Sequence, residues 1–381
     1  MASIGLCMIV KNEAHIIRRC LENVMPLVDY ILIVDTGSTD GTQSVIRDFL
    51  HQNNLPGEVI EEPWRDFAYN RSFALRKLRE CRNVAYGLMI DADEVLVYEP
   101  DFDARHFKQG LTKDLYDIET RYGNISYSRP QLFSNRLEFF FKGVLHEYLE
   151  CAAVQSRGQV TGFYNRPLQD SARSHNPKKF QDDAEVLERA LAVETDPFLI
   201  SRYTFYLAQS YRDCGEKEKA LQAYLRRSRQ GFWQEEVFIS LLHAARLKES
   251  LGHEAGEVVQ AFMVAHESLP TRLEGLHGAA RVCRQHDQFQ QGYILAKHAL
   301  SLTRSETGLF VEQWVTEYGL LDEFSVLAYW AGHYLECFNA SLQLLKENRI
   351  PSEYRERIRK NAEFAVKKLG QPALIESMPA V

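Results

Sequence analysis

The stretch YILIVDTGSTDGT (30–42) joins a continuous apolar run to a turn rich in glycine and small polar residues. Residues 30–35 have the length and β-branched content of a buried strand, and residues 38–52 have the pattern of a turn followed by a helix. The predicted strand ends at Asp35, which places a carboxylate where the chain leaves the sheet. Residues 38–40 are also good helix caps, which accounts for the turn without any ligand.

The same alternation of strand and helix runs through the first hundred residues. Further strands are predicted at 4–10, 58–62 and 86–91, and further helices at 13–25 and 66–80. Unbroken apolar strands between amphipathic helices indicate a parallel sheet that is covered on both faces. Ligands of such sheets bind at the carboxyl ends of the strands, where Asp35 and Asp91 both fall. From about 105 to 175 aromatic, β-rich pieces predict additional antiparallel strands.

After about residue 178 the sequence is helical almost throughout. RYTFYLAQSYRDCGEKEKALQAYLRRSRQG (202–231) matches the tetratricopeptide consensus, in which small Ala208 and Ala220 let paired helices approach closely. Weaker copies occur at 241–270, 275–300 and 324–345, with predicted turns at Gly215, Gly252, His286 and Gly332 and an insertion near 301–320. Unrelated helical hairpins are the alternative. We therefore predict two domains, 1–177 and 178–381.

Composition narrows the class of protein. A chain of 381 residues with 45% hydrophobic and 25% charged residues is typical of a globular protein, and its net charge of −7 argues against sequence-independent nucleic-acid binding. No apolar stretch reaches the ~20 residues of a membrane span, and the N-terminus is interpreted as a strand instead of a signal peptide. The seven cysteines show no disulfide or zinc spacing, so we predict free thiols and a cytoplasmic location.

Three motifs, MIVKNE (8–13), VDTGSTDGT (34–42) and MIDADE (89–94), together resemble those of family 2 glycosyltransferases, whose nucleotide-binding domain has the GT-A fold. The resemblance covers roughly residues 3–175. EPWRDFAYNRSFAL (62–75) and FKGVLHEYLE (141–150) resemble a subgroup with appended tetratricopeptide repeats, which includes sublancin-type peptide S-glycosyltransferases and some lipopolysaccharide-core glucosyltransferases. The resemblance implies an α/β GT-A domain with a Rossmann-like mixed sheet, followed by an all-α tetratricopeptide-like domain.

The resemblance also implies a donor site for a nucleotide sugar, with a UDP-sugar as the expected co-substrate. Asp35 would bind the nucleotide base, and the D-x-D motif of the family falls on Asp91, Ala92 and Asp93. In the family the first aspartate contacts ribose or metal-bound water, and the second coordinates Mn²⁺ or Mg²⁺. A histidine after the catalytic domain often completes the metal site, which here implies His175. The alternatives are a solvated strand end and an ordinary loop histidine.

Helix 66–80 contributes two further candidates. Phe67, Asn70, Arg71 and Ala74 follow the spacing of a single helix face, so two polar residues share a stripe with apolar ones. In the related subgroup this pair approaches the nucleotide, which implies donor binding by Asn70 and contact of Arg71 with the diphosphate. An internal salt bridge explains the same placement equally well.

A general base is the remaining requirement, because an acceptor hydroxyl must lose its proton as it attacks the sugar. VLHEYLE (144–150) does not match the zinc-protease motif, since Glu150 stands where a second histidine is needed. By its position in the subgroup motif, Glu147 is predicted to be the base, with His146 in a supporting role. A buried, salt-bridged Glu147 is the competing interpretation. Arg129 or Arg136 is a further candidate for contact with phosphate or acceptor.

These assignments predict an inverting, metal-dependent glycosyltransferase, with inversion implied by the family alone. The helical repeats favour a peptide or protein acceptor and a homodimer, since such surfaces commonly hold peptides or mediate dimers. A lipopolysaccharide-core or other glycan is the second acceptor, and a modified nucleic-acid base is the least favoured. The hypothesis from another class is a helical-repeat interaction scaffold with an inactive nucleotide-sugar domain.

Overall fold

The computed structural model describes residues 1–123, 125–303, 308–347 and 349–378, and the chain forms two compact units, Met1–Ala192 and Val193–Val381. The first unit contains eleven strands and five helices among the described residues. The strands are β1 Ile4–Val10, β2 Tyr30–Asp35, β3 Gly57–Glu61, β4 Tyr86–Met89, β5 Glu94–Tyr98, β6 Leu115–Tyr122, β7 Ile125–Ser134, β8 Phe140–Lys142, β9 Tyr148–Glu150, β10 Arg157–Gln159 and β11 Phe163–Pro167. The helices are α1 Ile17–Val24, α2 Thr42–Gln52, α3 Phe67–Glu80, α4 Ala104–Gly110 and α5 Lys179–Val193.

The main sheet has the strand order β3-β2-β1-β4-β7-β6-β11-β5, and β10 pairs with β6. Strands β3, β2, β1 and β4 are parallel, whereas β7 runs antiparallel to both β4 and β6. This mixed sheet, followed by a helical unit, confirms the predicted fold class. Two details differ from the sequence prediction: β4 ends at Met89 instead of residue 91, and β10 and β11 pair in parallel with β6.

Both faces of the sheet are covered, which explains why its strands read as continuous apolar runs. Successive residues of β1 point to opposite faces of the sheet. Leu6 and Met8 pack with α1 and α2 on one face, and Cys7 packs with α3 on the other. The apolar residues of α1, including Ile17 and Leu21, are fully buried. The parallel order brings the carboxyl ends of β1, β2 and β4 to one edge, where Asp35 ends β2 and Asp91 follows β4.

Gly87 on β4 is paired with Phe133 on β7, whose side chain packs over the glycine. A Cβ atom at Gly87 would lie 2.3 Å from Cε2 of Phe133 and 2.9 Å from Cδ2 of Leu78. We expect Gly87→Ala to lower the free energy of unfolding by about 1–3 kcal/mol, because an overpacked core must shift to admit the methyl group. Urea unfolding would measure it, with Gly110→Ala as the control, since no atom lies within 4 Å of a Cβ there. Equal stability of Gly87→Ala and the unaltered protein would contradict the packing argument.

The second unit is a series of paired helices. They are α6 Pro197–Asp213, α7 Lys217–Arg227, α8 Gln234–Ser250, α9 Ala255–Ser268, α10 Glu274–Gln285, α11 Phe289–Ser301, α12 Leu320–Trp330, α13 Tyr334–Glu347 and α14 Ser352–Leu369. Ala208 and Ala220 are fully buried between α6 and α7, as the repeat consensus predicts. Within the described ranges, no helix is long and apolar enough to cross a membrane.

The turns inside the helix pairs fall at or beside the predicted positions. Gly215, Gly252 and Gly332 have φ angles of 86°, 77° and 88°, a left-handed conformation that glycine adopts without strain. In the third pair this conformation belongs to Asp287 (φ 56°), one residue after the predicted His286. The predicted insertion near 301–320 lies partly outside the described residues. All seven cysteines are free thiols.

Candidate functional site

The polar loop after β2 is held by the residues that follow β1. Asn12 has a φ of 58°, a left-handed conformation that asparagine tolerates. Its Oδ1 accepts a hydrogen bond from the backbone N–H of Thr39 at 2.8 Å, and its own N–H donates to Oγ of Ser38 at 2.9 Å. The N–H of Glu13 donates to Oγ1 of Thr42 at 2.8 Å. The motifs MIVKNE and VDTGSTDGT therefore form one interlocked loop pair at the carboxyl edge.

Asp35 is the buried acid of this loop pair, with an exposure of 1%. Its Oδ1 accepts hydrogen bonds from the N–H groups of Gly37 and Ser38, at 3.0 and 2.9 Å, and from Nε2 of Gln43 at 3.1 Å. Its Oδ2 is buried and has no hydrogen-bond partner among the described residues. An unsatisfied buried acceptor costs about 1–3 kcal/mol, so Oδ2 is a position where the N–H group of a ligand would be bound favourably.

Arg71 contacts two of the other predicted site residues, Asp91 and Glu147. Its Nη2 donates a hydrogen bond to Oδ1 of Asp91 at 2.7 Å, and its Nε lies 2.6 Å from Oε1 of Glu147 in an ion pair that lacks hydrogen-bond alignment. The guanidinium carbon lies 5.6 Å from the ring centroid of Phe141. The side chains of Arg71 and Glu147 are only 12% and 10% exposed. Burial raises the pKa of Asp91, but the charges of Arg71 and Arg129 outweigh it and hold the pKa below its ordinary value.

The turn that carries Glu147 is fixed by α3. The backbone N–H of Phe141 on β8 donates to Oγ of Ser72 at 2.8 Å, which holds the short β8–β9 hairpin beside the helix. Gly143 and His146 in the connecting turn have φ angles of 109° and 50°, so the chain reverses within a few residues. Glu147 follows directly and points its carboxylate at Arg71, whereas His146 is exposed.

The other predicted residues lie at different depths. Asn70 is fully buried, and its amide binds the loop before α3: Oδ1 accepts from the N–H of Arg65 at 2.9 Å, and Nδ2 donates to the carbonyl of Pro63 at 3.1 Å. Ala92 packs into the core under the turn. His175 is exposed in the segment after β11. The roles given to these three residues remain predictions.

A buried polar network beneath Asp91 was not predicted as a unit. Glu94 is 3% exposed; one of its oxygens accepts from Arg129, and the other accepts from the N–H of Asp91 at 3.0 Å. Nε of Arg129 also donates to Oγ1 of Thr120 at 3.3 Å. Burial raises the pKa of Glu94, although Arg129 opposes it. Glu94 therefore stabilises the turn at Asp91 through a buried hydrogen bond to its backbone N–H. A sequence signal existed, since Glu94 directly follows the D-x-D motif, but its partner lies 35 residues away.

Asp93 is the candidate metal ligand, and its surroundings fit a cation. Burial and the neighbouring charge of Asp91 raise the pKa of Asp93, because its negative charge is poorly compensated where it lies. Within the part of the chain that the structure describes, no group of three histidine, cysteine, aspartate or glutamate side chains could hold a metal ion. Mg²⁺ is commonly bound by one or two carboxylates together with substrate phosphates, and Asp91 and Asp93 match that kind of site.

The segment after β11 covers this turn. The N–H of Leu168 donates to the carbonyl of Asp93 at 2.8 Å, and the nearby hydroxyl of Ser171 lowers the pKa of the Asp93 carboxyl, against the larger effects of burial and of Asp91. Nη1 and Nη2 of Arg19 donate to the carboxylate of Asp170 at 2.6 and 2.9 Å. The contacts of Ser171 and Asp170 come from the fold and carry no motif, so sequence reasoning missed them.

Glu13 is a second carboxyl that the sequence did not single out. It is 8% exposed, and its Oε2 accepts a hydrogen bond from the N–H of Ala172 at 3.3 Å. Burial, reinforced by the charges of Asp93 and Asp40, raises the pKa of Glu13 to about 7. The folded protein therefore keeps a proton on Glu13 at pH values where the unfolded chain has lost it.

This shift predicts a pH-dependent stability. Between the ordinary pKa of 4.5 and about 7, the folded state binds more protons at Glu13 than the unfolded state, so stability falls as the pH rises. We expect metal-free Glu13→Gln to match the unaltered protein at pH 4.5 and to exceed it by about 2–3 kcal/mol at pH 8. Urea unfolding across this range would measure the difference. Glu22→Gln, at an exposed position of α1, should leave the slope unchanged, and an unchanged slope for Glu13→Gln would contradict the assignment.

Comparison with known proteins is consistent with the geometry of the first unit. Residues 6–106 match the family model of Glycosyl transferase family 2. A TPR repeat-containing protein of Synechococcus elongatus is 31% identical over 155 residues, which are 39% of this chain and 36% of that protein. The lipopolysaccharide core biosynthesis glycosyltransferase LpsC of Rhizobium meliloti is 36% identical over 87 residues, 22% of this chain and 29% of that protein.

An uncharacterized glycosyltransferase of Rickettsia felis is 30% identical over 137 residues, 35% of this chain and 45% of that protein. The chain thus spans between 29% and 45% of the length of these three curated relatives. Among solved structures, S. aureus TarS in complex with UDP-GlcNAc aligns with 75% of this chain and 92% of its own, at 14% identity and a TM-score of 0.37.

Proposed function

We propose, because residues 6–106 of this chain are a family 2 glycosyltransferase domain, that the protein transfers a sugar from a nucleotide-sugar donor to an acceptor hydroxyl with inversion at the anomeric carbon. The donor would lie along the carboxyl edge of β2, β1 and β4. Its nucleotide base would reach Asp35, and its diphosphate would reach Asp91 and Asp93.

One observation carries this proposal: the buried Oδ2 of Asp35 has no hydrogen-bond partner among the described residues, at the same sheet edge as Asp91. Strands β2 and β4 are separated only by β1, so their ends lie about two strand spacings, or ~10 Å, apart. That separation suits a nucleoside placed between its base contact and its diphosphate contact. The family match of residues 6–106 supports the same placement.

In the proposed reaction Glu147 accepts a proton and Arg71 positions Glu147 relative to the donor. The acceptor oxygen attacks the anomeric carbon from the side opposite the diphosphate, and its proton passes to Oε of Glu147. The bond between the anomeric carbon and the phosphate oxygen breaks, and its electron pair remains on the leaving diphosphate. Because Arg71 contacts both Glu147 and Asp91, it would hold the base at a fixed position relative to the donor.

Asp93 and Asp91 are the residues that would hold a divalent cation, Mn²⁺ or Mg²⁺, together with the donor. When bound, the cation supplies positive charge that stabilises the diphosphate as it leaves. The raised pKa of Asp93 supports this assignment, since a neighbouring cation would relieve the uncompensated charge.

The acceptor has two candidates. The helical unit favours a peptide or protein, because stacked helix pairs present extended binding surfaces. The printed name of the LpsC relative favours a glycan. The protein would work in the cytoplasm, where nucleotide sugars are available and where seven free thiols persist.

The direct test is incubation with a panel of UDP-, GDP- and ADP-sugars in the presence of Mn²⁺, with release of free nucleotide as the readout. We expect at least one donor to be hydrolysed slowly without an acceptor and faster with one. No turnover of any donor, together with no donor binding that depends on Asp93, would favour the interaction scaffold instead.

A further inference from the structure

Two exposed tyrosines lie on the sheet beside the proposed donor site. Tyr122 ends β6 and Tyr127 lies on β7, and each is 44% exposed. Tyr127 pairs with Thr120 across the two strands, and Tyr122 pairs with residue 125, so both tyrosines lie on the same face of the hairpin. Large aromatic rings that remain open to solvent on one face commonly mark a binding surface.

This face leads directly to the proposed site. Arg129 follows Tyr127 by two residues on β7 and therefore shares its face, and Arg129 contacts Glu94 and lowers the pKa of Asp91. The hydroxyl of Tyr122 donates to Oε1 of Gln169 at 2.8 Å, next to Leu168, whose N–H binds Asp93. At about 3.4 Å per residue, Tyr127 is about 7 Å along the strand from Arg129, roughly one sugar unit.

The opposite face of the hairpin carries charged and hydroxyl side chains that bind one another. Ser126 and Arg121 both donate to Glu119, at 2.5 and 2.7 Å, and the guanidinium of Arg121 lies 4.1 Å from the ring centroid of Tyr164. Those groups are occupied by contacts within the protein. The exposed rings therefore distinguish the face that adjoins Asp91 and Asp93.

The chemistry of this face matches a neutral, polar ligand with an apolar side. The positive charge of Arg129 is already balanced by Glu94, so the surface offers little net charge to an acidic peptide or a phosphate backbone. A pyranose ring has an apolar C–H face that packs on an aromatic ring, and a rim of hydroxyls that can bind tyrosine hydroxyls and a guanidinium.

We propose that Tyr122, Tyr127 and Arg129 form the acceptor subsite, and that the acceptor is a glycan whose non-reducing sugar stacks on the tyrosine rings. This inference rests on the proposed function, since it places the acceptor beside the donor. It selects the glycan over the peptide of the two acceptors considered above.

The test measures binding of neutral disaccharides, namely lactose, cellobiose and maltose, by saturation-transfer NMR in the presence of UDP and Mn²⁺. We expect at least one to bind, and Tyr122→Ala and Tyr127→Ala each to raise its dissociation constant about two- to tenfold. Tyr127→Phe keeps the ring and should bind nearly as well. Tyr354→Ala, at a tyrosine of α14 that is 38% exposed, is the matched control and should have no effect.

The donor hydrolysis described above is measured separately, so the two proposals can fail independently. Hydrolysis of a donor without binding of any disaccharide would overturn the glycan subsite and leave the transferase. Equal disaccharide binding by the unaltered protein and by the double Tyr122→Ala, Tyr127→Ala variant would also overturn it. Tyrosine-dependent binding without hydrolysis would support the subsite and count against the transferase.

Discussion

The Glu147→Gln protein is expected to transfer sugar about 10²–10⁴-fold more slowly than the unaltered protein, because glutamine cannot accept the proton of the acceptor hydroxyl. Glutamine has the shape of glutamate and keeps an oxygen beside Nε of Arg71, so the turn between β8 and β9 should remain in place. Donor affinity should change little, since Arg71 keeps its hydrogen bond with Asp91. Initial rates at saturating donor and acceptor would measure the loss.

Two controls make this result specific. Glu150→Gln changes the same residue type three positions later on β9 and should retain the full rate. In Glu147→Ala, added azide should restore transfer, because an anionic nucleophile needs no base, and NMR of the glycosyl azide would report whether the anomeric centre inverts. A Glu147→Gln rate close to that of the unaltered protein would show that the base lies elsewhere.

The Asp93→Asn protein is expected to lose transfer activity by about two to three orders of magnitude and, when free of metal, to be more stable than the unaltered protein. The loss follows because a cation held by Asp93 would contribute several kcal/mol to stabilisation of the leaving diphosphate. The gain in stability follows because asparagine removes a charge that burial and Asp91 make unfavourable. Transfer rates against Mn²⁺ concentration and urea unfolding in chelator would measure the two effects.

A loss of transfer activity together with a gain in stability would distinguish a functional acid from a structural one. Asp170 is the matched control, since hydrogen bonds from Arg19 hold its pKa below the ordinary value, and Asp170→Asn should lower stability. If Asp93→Asn lost stability in the same way, Asp93 would belong to the structural class and the cation site would be contradicted.

The first unit could be predicted well where a strand is followed at once by a helix. Strands β1 and β2 begin and end at the predicted residues, and β3, α2 and α3 begin and end within four residues of the prediction, because hydrophobic periodicity is a local signal. The helix cap predicted at residues 38–40 differs in detail: Gly41 is the N-cap of α2 and makes no side-chain cap hydrogen bond, whereas Oδ1 of Asp40, one residue earlier, accepts from the N–H of Thr42 at 3.0 Å. Strand β5 was not predicted because it begins with Glu94, a charge that is compensated by Arg129, 35 residues away.

The site residues also divide into those with a local sequence signal and those that distant contacts bring into the site. Asp35, Asp91 and Asp93 could be predicted from the sequence because each lies at or just after a strand end, in a motif that resembles those of family 2 glycosyltransferases. The members of the bridge from Asp91 through Arg71 to Glu147 lie up to 76 residues apart in the sequence, and the packing of α3 against the β8–β9 hairpin brings them together. Glu13 ends the MIVKNE motif, but the sequence does not indicate a site role for it or for Ser171, since their environment is created by a segment that returns to the sheet edge from β11.

The fixed carboxylate of Asp35 has a consequence for the choice of nucleotide. Three hydrogen bonds to Oδ1 prevent the carboxylate from turning, so Oδ2 presents its lone pairs in one direction. An ionised carboxylate only accepts hydrogen bonds, and it therefore attracts a base edge with an N–H group and repels an edge with a ring lone pair. Uracil and guanine present a ring N–H where cytosine presents a lone pair, so we expect the protein to discriminate against CMP-linked sugars before any contact with the sugar is made.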